Sequence, residues 1–462
     1  MGRLASPLAA KNAAATEEIP MLMHTRLPLT FQQQWLWGLL QIQNDWGCVV
    51  SYGFSLKGVL RIECLERSLE MIIWRHQSLR MKIVAVDGTV AQEIDPPQTY
   101  ALECATVPGS SEDDIKSNAR KTLVAFSELP ADAHTGPLFR ARLLKLWERE
   151  HWLLVGVHRL VADCFSLEQL MPEVWTAYED LLQGRSCSLT SDPPQYCNYA
   201  IRQHDGREQW ALRHQEYWQR QLAGAQSVRW PPDTGTSGAS RGSLGRMSLL
   251  FGEDLSERLR EFARSRRTLA ANVMLSIYVT ALSRHCNQKD FVVPCFVAGR
   301  QSEHKSVVGY FSHIVYVRVR LAGTETFADI LRYVGNEFFR ALSHQDFGRM
   351  AIQVPELSSG TFFQWLTWPP EEAYKVPTSA DPDASALVME RVSVAEFGEY
   401  LTALPPGMVD VEIAFYDTSQ GIYASGLYRA DLFAQAAMDR FMIYLRSTAE
   451  ACLRDPDTPG GS

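Results

Sequence analysis

Residues His151 to Val157 (HWLLVGV) run almost without polar interruption. A strand with one wet face alternates in polarity; this run does not, so it predicts a strand covered on both faces, with structure packed above and below it. The run ends at His158. Residues 159 to 164 then read as a turn before a helix beginning near Ser166. Side chains at the end of such a strand are held rigidly and still face any cleft at the sheet's edge. Arg159, Asp163 and Cys164 all lie in that turn.

The remaining pattern alternates strands with helices. Thr30 is placed to cap a helix carrying Phe31, Trp35 and Leu39 on one face, and Leu65, Leu69, Ile72 and Ile73 repeat that spacing over 65–77. Phe139, Ala141 and Leu143 alternate with Arg140 and Arg142, as in a half-buried strand. Pro193 and Pro194 follow Ser191 and Asp192 and mark a lobe boundary near 185–195. A Gly/Ser/Thr-rich stretch at 232–245 reads as a surface loop. Beyond it the pattern predicts helices over 254–267 and 269–286, a strand over 291–297, strands at 410–416 and 421–428, and a last helix over 432–453. Thr326 and Asp329 suit a capping-box-like start for a helix burying Phe327, Ile330, Leu331, Val334 and Phe338. The domain reading is a flexible leader at 1–23, an N-terminal lobe at 24–190, a C-terminal lobe at 191–457 and a tail at 458–462. Strands and helices intermixed twice over predict two α/β lobes with a cleft between them.

Composition narrows the function classes. The chain has 462 residues, 46% hydrophobic and 21% charged, enough for a large core. A formal charge of −8 gives no basic footprint for nucleic acid. No apolar run approaches the roughly 18 residues a membrane span needs. Pro7, Lys11, Glu17 and Glu18 break any leader-type apolar segment. Gly2 to Ser6 fits the loose myristoylation pattern, a short match that chance supplies. Nine cysteines occur singly, without a CxxC pair, and read as reduced buried thiols of a cytoplasmic protein. Their spacing matches no zinc site.

The turn His158-Arg159-Leu160-Val161-Ala162-Asp163-Cys164 resembles the HHxxxDG signature of nonribosomal peptide synthetase condensation domains, with Arg159 at the second histidine. Other segments resemble the family in order: Leu27-Pro-Leu-Thr-Phe-Gln-Gln-Gln-Trp, Arg75-His-Gln-Ser-Leu-Arg, Pro137 to Leu143, Tyr196-Cys-Asn-Tyr-Ala, Gly299-Arg300, Val308 to His313, His344-Gln-Asp and Tyr428 to Phe433. The resemblance implies two chloramphenicol-acetyltransferase-like lobes in a V, with a tunnel open to a donor carrier protein on one side and an acceptor on the other. Peptidyl or acyl carrier proteins are then the expected partners. Their phosphopantetheine arms act as tethered substrates, with no permanently bound cofactor or metal. A starting Met and no adjoining carrier or adenylation motif suggest a free-standing protein, of the kind found in hybrid peptide–polyketide clusters for bleomycin-like antibiotics.

Each site residue has a functional and a structural reading. Arg159 stands where the family's second histidine lies at the tunnel's centre. A guanidinium stays protonated and is no general base, but it can bind a carboxylate, a phosphate or a developing oxyanion. Otherwise it marks lost catalysis or an ion pair closing the tunnel. His158 is a relocated base or a support for the loop. His313, in place of the family's Asn, is a second base candidate. The resemblance implies that Asp163 pairs with Arg300 and holds the motif together. Cys164, in place of the motif glycine, narrows the tunnel; with His158 it also suggests a thiol nucleophile, against the simpler reading of a free buried cysteine. Three functions follow: condensation of carrier-bound thioesters with the bond-forming step impaired or altered; a recruitment platform for tailoring enzymes or carriers, as in His-Arg domains of glycopeptide-antibiotic synthetases; or acyl transfer from soluble thioesters. Cys164 departs from the acidic residue those platform domains carry.

Overall fold

The computed structural model describes residues 26–43, 48–86, 88–189, 191–231, 243–345, 360–367, 387–392 and 410–458. The expected leader at 1–23, the Gly2–Ser6 match, most of the 232–245 loop and all of the tail but Thr458 lie outside the described residues. Among the described residues, no helix is long and apolar enough to cross a membrane.

Along the first half run β1 (Arg26–Pro28), α1 (Phe31–Gln43), β2 (Val49–Lys57), α2 (Ile62–Arg75), β3 (Met81–Val86), β4 (Thr89–Ile94), β5 (Glu103–Thr106), α3 (Glu112–Glu128), β6 (Phe139–Trp147), β7 (Glu150–His158), α4 (Cys164–Leu182), α5 (Tyr196–Asp205) and α6 (Arg207–Leu222). The second half contributes β8 (Leu244–Leu250), α7 (Glu253–Ser265), α8 (Ala270–His285), β9 (Asp290–Val297), β10 (His313–Arg320), α9 (Phe327–Ser343), β11 (Thr361–Thr367), β12 (Val388–Arg391), β13 (Val411–Thr418), β14 (Gly421–Arg429) and α10 (Gln435–Arg454). The strands form a five-stranded sheet (β12-β2-β7-β6-β5), a six-stranded sheet (β10-β9-β11-β13-β14-β8) and a small sheet (β1-β4-β3).

The apolar run at 151–157 is the inner strand β7, and its burial on both faces follows from period-two geometry. Leu153, Val155 and Val157 point into a core with residues of α2 and α4. Trp152 and Leu154 point the other way, against Phe126 and Ala119 of α3. Full burial of each such side chain contributes roughly 1.5–3 kcal/mol, so a charged residue at Leu153 would break both the strand and its helix cover. The second sheet packs on α8, α9 and α10 through residues such as Ile413, Phe415 and Phe363.

The two cores exchange chain segments. Tyr196 and Tyr199 of α5, Val307, Val308, Tyr310 and Phe311 before β10, and Met389 of β12 all pack into the first core. β12 pairs antiparallel with β2, Met389 opposite Leu56, so a late segment completes the early sheet. α6 belongs to the second core through Trp218 and Leu222.

Several boundaries differ from the sequence reading. α4 starts at Cys164 and not near Ser166, because Asp163 caps it. β8 begins at Leu244, inside the stretch read as a loop. α9 starts as expected, with Thr326 and Asp329 forming a reciprocal capping box. The cysteines form no disulfide among the described residues, but only Cys48, Cys295 and Cys452 are buried; Cys104 is exposed and the others lie between.

A candidate active site at the lobe junction

β7 delivers the motif by its last backbone bonds. The His158 amide donates to Leu138 O at 2.8 Å and the Arg159 amide to Cys48 O at 2.7 Å, after which the chain turns. Asp163 has extended backbone (φ −108°, ψ −178°) and serves as N-cap of α4. Its Oδ1 accepts from the Ser166 amide and the Ser166 hydroxyl, each at 2.9 Å. This satisfies a helix-start donor and aligns the carboxylate with the positive end of α4.

Arg300 reaches the same carboxylate across the junction, its Nη2 2.7 Å from Asp163 Oδ1, well inside the roughly 6 Å over which such a pair is effective. The side chains are only 6% and 3% exposed. Nη2 also donates to the Ser166 hydroxyl at 2.8 Å, and Nη1 to His304 O at 3.0 Å and Val307 O at 2.6 Å. The guanidinium lies 4.5 Å over the Phe311 ring. Asp163 Oδ2 accepts from the Phe311 amide at 3.2 Å and the Ser312 hydroxyl at 3.3 Å. Donors thus surround the carboxylate, which suits a clamp and leaves no site for proton shuttling. Gly299 permits the approach: at φ +64° it is left-handed, and a Cβ there would run into Phe311 O and His313 Nδ1.

The other motif segments brace this turn. Gln33 Nε2 on α1 donates to Leu160 O at 2.9 Å. Tyr196 on α5 donates to Tyr310 O at 2.5 Å and pairs with the Thr30 hydroxyl at 2.9 Å. His76 and Arg75 tie α2 to α4 through Glu173, at 2.8 and 3.0 Å. His344 pairs with His214 of α6 at 2.9 Å.

His158 Nδ1 accepts the Leu160 amide at 3.2 Å, which puts the ring proton on Nε2. Burial, then Arg159 and Arg140, pushes its pKa down to about 3. The ring is therefore neutral at physiological pH, with its one lone pair turned to the backbone. This geometry makes His158 a support for the turn and gives it no lone pair for a substrate proton. Burial pushes the Cys164 thiol up, against the opposing pull of Arg159, so the group is a thiol and a poor nucleophile at neutral pH.

Arg159 is 6% exposed. Its charge acts on Cys164 and on two tyrosine hydroxyls, Tyr310 before β10 and Tyr416 on β13, both pushed up by burial. Its charge thus reaches from the first core to the second sheet. His313 Nδ1 hydrogen-bonds to Phe311 O at 2.9 Å, which leaves the ring's lone pair on Nε2. It sits at the start of β10, beside the Phe311–Ser312 turn that holds Asp163. Tyr416, Glu412 and Gln364 carry no local signal in the sequence. β11 and β13 are central strands of the second sheet, and Tyr416 on β13 lies within electrostatic reach of Arg159 and Cys164. Among the described residues, no group of three or more His, Cys, Asp or Glu is placed to hold a metal ion.

Two sheet-bearing lobes, clamped by a buried Asp–Arg pair at a strand-to-helix turn, define an acyltransferase-like α/β architecture. The condensation domain family model matches residues 23–356, and the chain belongs to that family. A component of the linear gramicidin synthase of Brevibacillus parabrevis is 28% identical over 99% of this chain, and surfactin synthase subunit 1 of Bacillus subtilis is 26% identical over 94%. The chain spans 6% and 12% of the length of those two synthase chains. The condensation domain of the Monacolin K polyketide synthase MokA shares the fold with a TM-score of 0.77 at 16% identity, covering 94% of this chain and 99% of that one. The X-domain from teicoplanin biosynthesis does so at 0.76 and 22%, covering 95% and 97%.

Proposed function

We propose that this protein engages acyl or aminoacyl thioesters tethered to carrier proteins in nonribosomal peptide, or hybrid peptide–polyketide, biosynthesis in the cytoplasm, and that its bond-forming step differs from the family's. One observation carries the reading: the scaffold of the motif is intact while its reactive position holds a buried guanidinium. Asp163, Arg300 and Gln33 hold the turn. Arg159 cannot accept the acceptor amine's proton, and His158 has its lone pair on the backbone. What the junction offers is orientation, a cation and, as the one base candidate left, the Nε2 lone pair of His313. Holding two reactants in register lowers a barrier by about 7–11 kcal/mol, and a guanidinium stabilises a developing oxyanion or a carboxylate. The phosphopantetheine arms enter as tethered substrates.

A second reading is a recruitment platform. An X-domain from teicoplanin biosynthesis has been solved in complex with OxyB, and this chain shares its fold with a TM-score of 0.74 at 23% identity. The His158-Arg159 pair favours that reading as well.

The test is titration of the protein with loaded carriers of its own biosynthetic cluster, followed by mass-spectrometric detection of product. Saturable carrier binding is expected on either reading; its absence overturns both. Turnover abolished by Arg159→Ala supports an active guanidinium. Wild type without product, and product gained by Arg159→His, supports a platform derived from a condensation site.

A further inference from the structure

We infer that Gln364 is a specificity-determining residue, selecting a tethered acyl group that presents an N–H donor to the junction-facing side of the six-stranded sheet. This rests on the carrier-engaging reading above.

The sheet register supplies the geometry. Gln364 on β11 lies opposite Phe296 on β9 and Ala414 on β13, and Ala414 lies opposite Ser425 on β14. Directly opposed residues project from the same face of a sheet. The alternate positions Phe363 and Phe415 pack under the helices, with ring centroids 5.9 and 6.0 Å from Tyr278 of α8. Gln364, Ala414 and Ser425 therefore project from the other face. That face meets the motif: Tyr416, two residues beyond Ala414, lies within the electrostatic reach of Arg159 and Cys164.

On this row Ala414 and Ser425 are short; Phe296 and Gln364 are long, and of those two only Gln364 ends in a polar group. Gln364 is 4% exposed, and its side-chain oxygen Oε1 is enclosed without a hydrogen-bond partner among the described residues. A buried amide oxygen without a donor is costly, and native structures rarely keep one unless a ligand or water supplies the missing group. The complement of that oxygen is an N–H.

The experiment measures binding of two pantetheine analogues to the full chain by calorimetry. In both, an amide replaces the thioester; one bears an alanyl group and the other a propionyl group, so they differ only in the amine. Wild type is expected to bind the alanyl analogue about 3- to 10-fold more tightly, the range of a single net hydrogen bond. Gln364→Leu should abolish that preference and leave propionyl binding unchanged. Gln364→Glu, a nearly isosteric second variant, should widen it. No wild-type preference, a preference that survives in Gln364→Leu, or an equal loss for both analogues overturns the inference. If the Leu variant does not fold, an unchanged preference in Gln364→Glu overturns it. Carriers that bind saturably while neither analogue does also overturn it alone; carriers that do not bind bring down the functional reading beneath it.

Discussion

Arg300→Ala is the sharpest test of how the two lobes are joined. The substitution removes the 2.7 Å ion pair to Asp163, the donations to His304 O and Val307 O, and the packing over Phe311. Removing one partner of a buried pair typically costs about 3–5 kcal/mol, because the other charge stays buried. Here Asp163 keeps the Ser166 amide, the Ser166 hydroxyl, the Phe311 amide and the Ser312 hydroxyl as donors. The carboxylate is therefore not bare, which places the loss near the lower end, about 3 kcal/mol. Against a typical stability of about 5–15 kcal/mol that is a large fraction. Urea denaturation followed by tryptophan fluorescence reads it as a lowered midpoint, and a second transition would show the lobes unfolding separately. The double variant Asp163→Asn/Arg300→Met removes both charges and should be more stable than Arg300→Ala alone. Carrier binding should fall less than stability does. A midpoint change equivalent to less than about 0.5 kcal/mol, the range of an ordinary surface substitution, or a double variant worse than the single one, refutes the clamp.

Three further outcomes follow from the same geometry. The folded pKa of His158 is about 3, below the roughly 6.5 of an unfolded histidine, so the unfolded chain takes up the proton first. Its contribution is complete above about pH 6.5 and falls as pH drops toward 3, by up to about 1.4 kcal/mol per pH unit; the stability difference between wild type and His158→Asn should shift accordingly between pH 7 and 5, and a constant difference contradicts the assignment. Cys164 should react slowly with iodoacetamide at pH 7 and faster as pH rises above 9, because burial holds it as a thiol; mass-spectrometric labelling at neutral pH as fast as an unhindered cysteine would revive the thiol nucleophile. Thr326→Ala removes the capping box of α9, with Thr326 Oγ1 accepting from the Asp329 amide at 3.1 Å, and should cost about 0.5–2 kcal/mol in the same denaturation assay.

Much of the fold was legible where period and burial coincide. The run at 151–157 had no polar face, and β7 has none. The apolar stripe Ile330, Leu331 and Val334 and the Thr326–Asp329 cap defined α9. The start of α4 was misplaced by two residues, since Asp163 was read as a partner of Arg300 and not also as the residue that accepts the Ser166 amide. α3 went unread because its sequence is mostly polar, with Ala119 and Phe126 its buried residues. β5 is a short exposed edge strand without apolar alternation.

Legible in the residues alone were the strand that carries the motif, the α2 face that covers one side of it, and the residue types at the turn: a guanidinium where a base is expected, and an aspartate and an arginine 137 positions apart that can neutralise each other. Those follow from local period and from side-chain chemistry, which are written residue by residue. It took the fold to show that β12 completes the early sheet, that the lone pair of His158 is spent on the Leu160 amide, and that Tyr416 comes within reach of Arg159. Pairing between strands so distant in sequence depends on which edges the packed helices leave open. The tautomer of a buried ring depends on the donor the fold brings to it, and neither is encoded in any short stretch of chain.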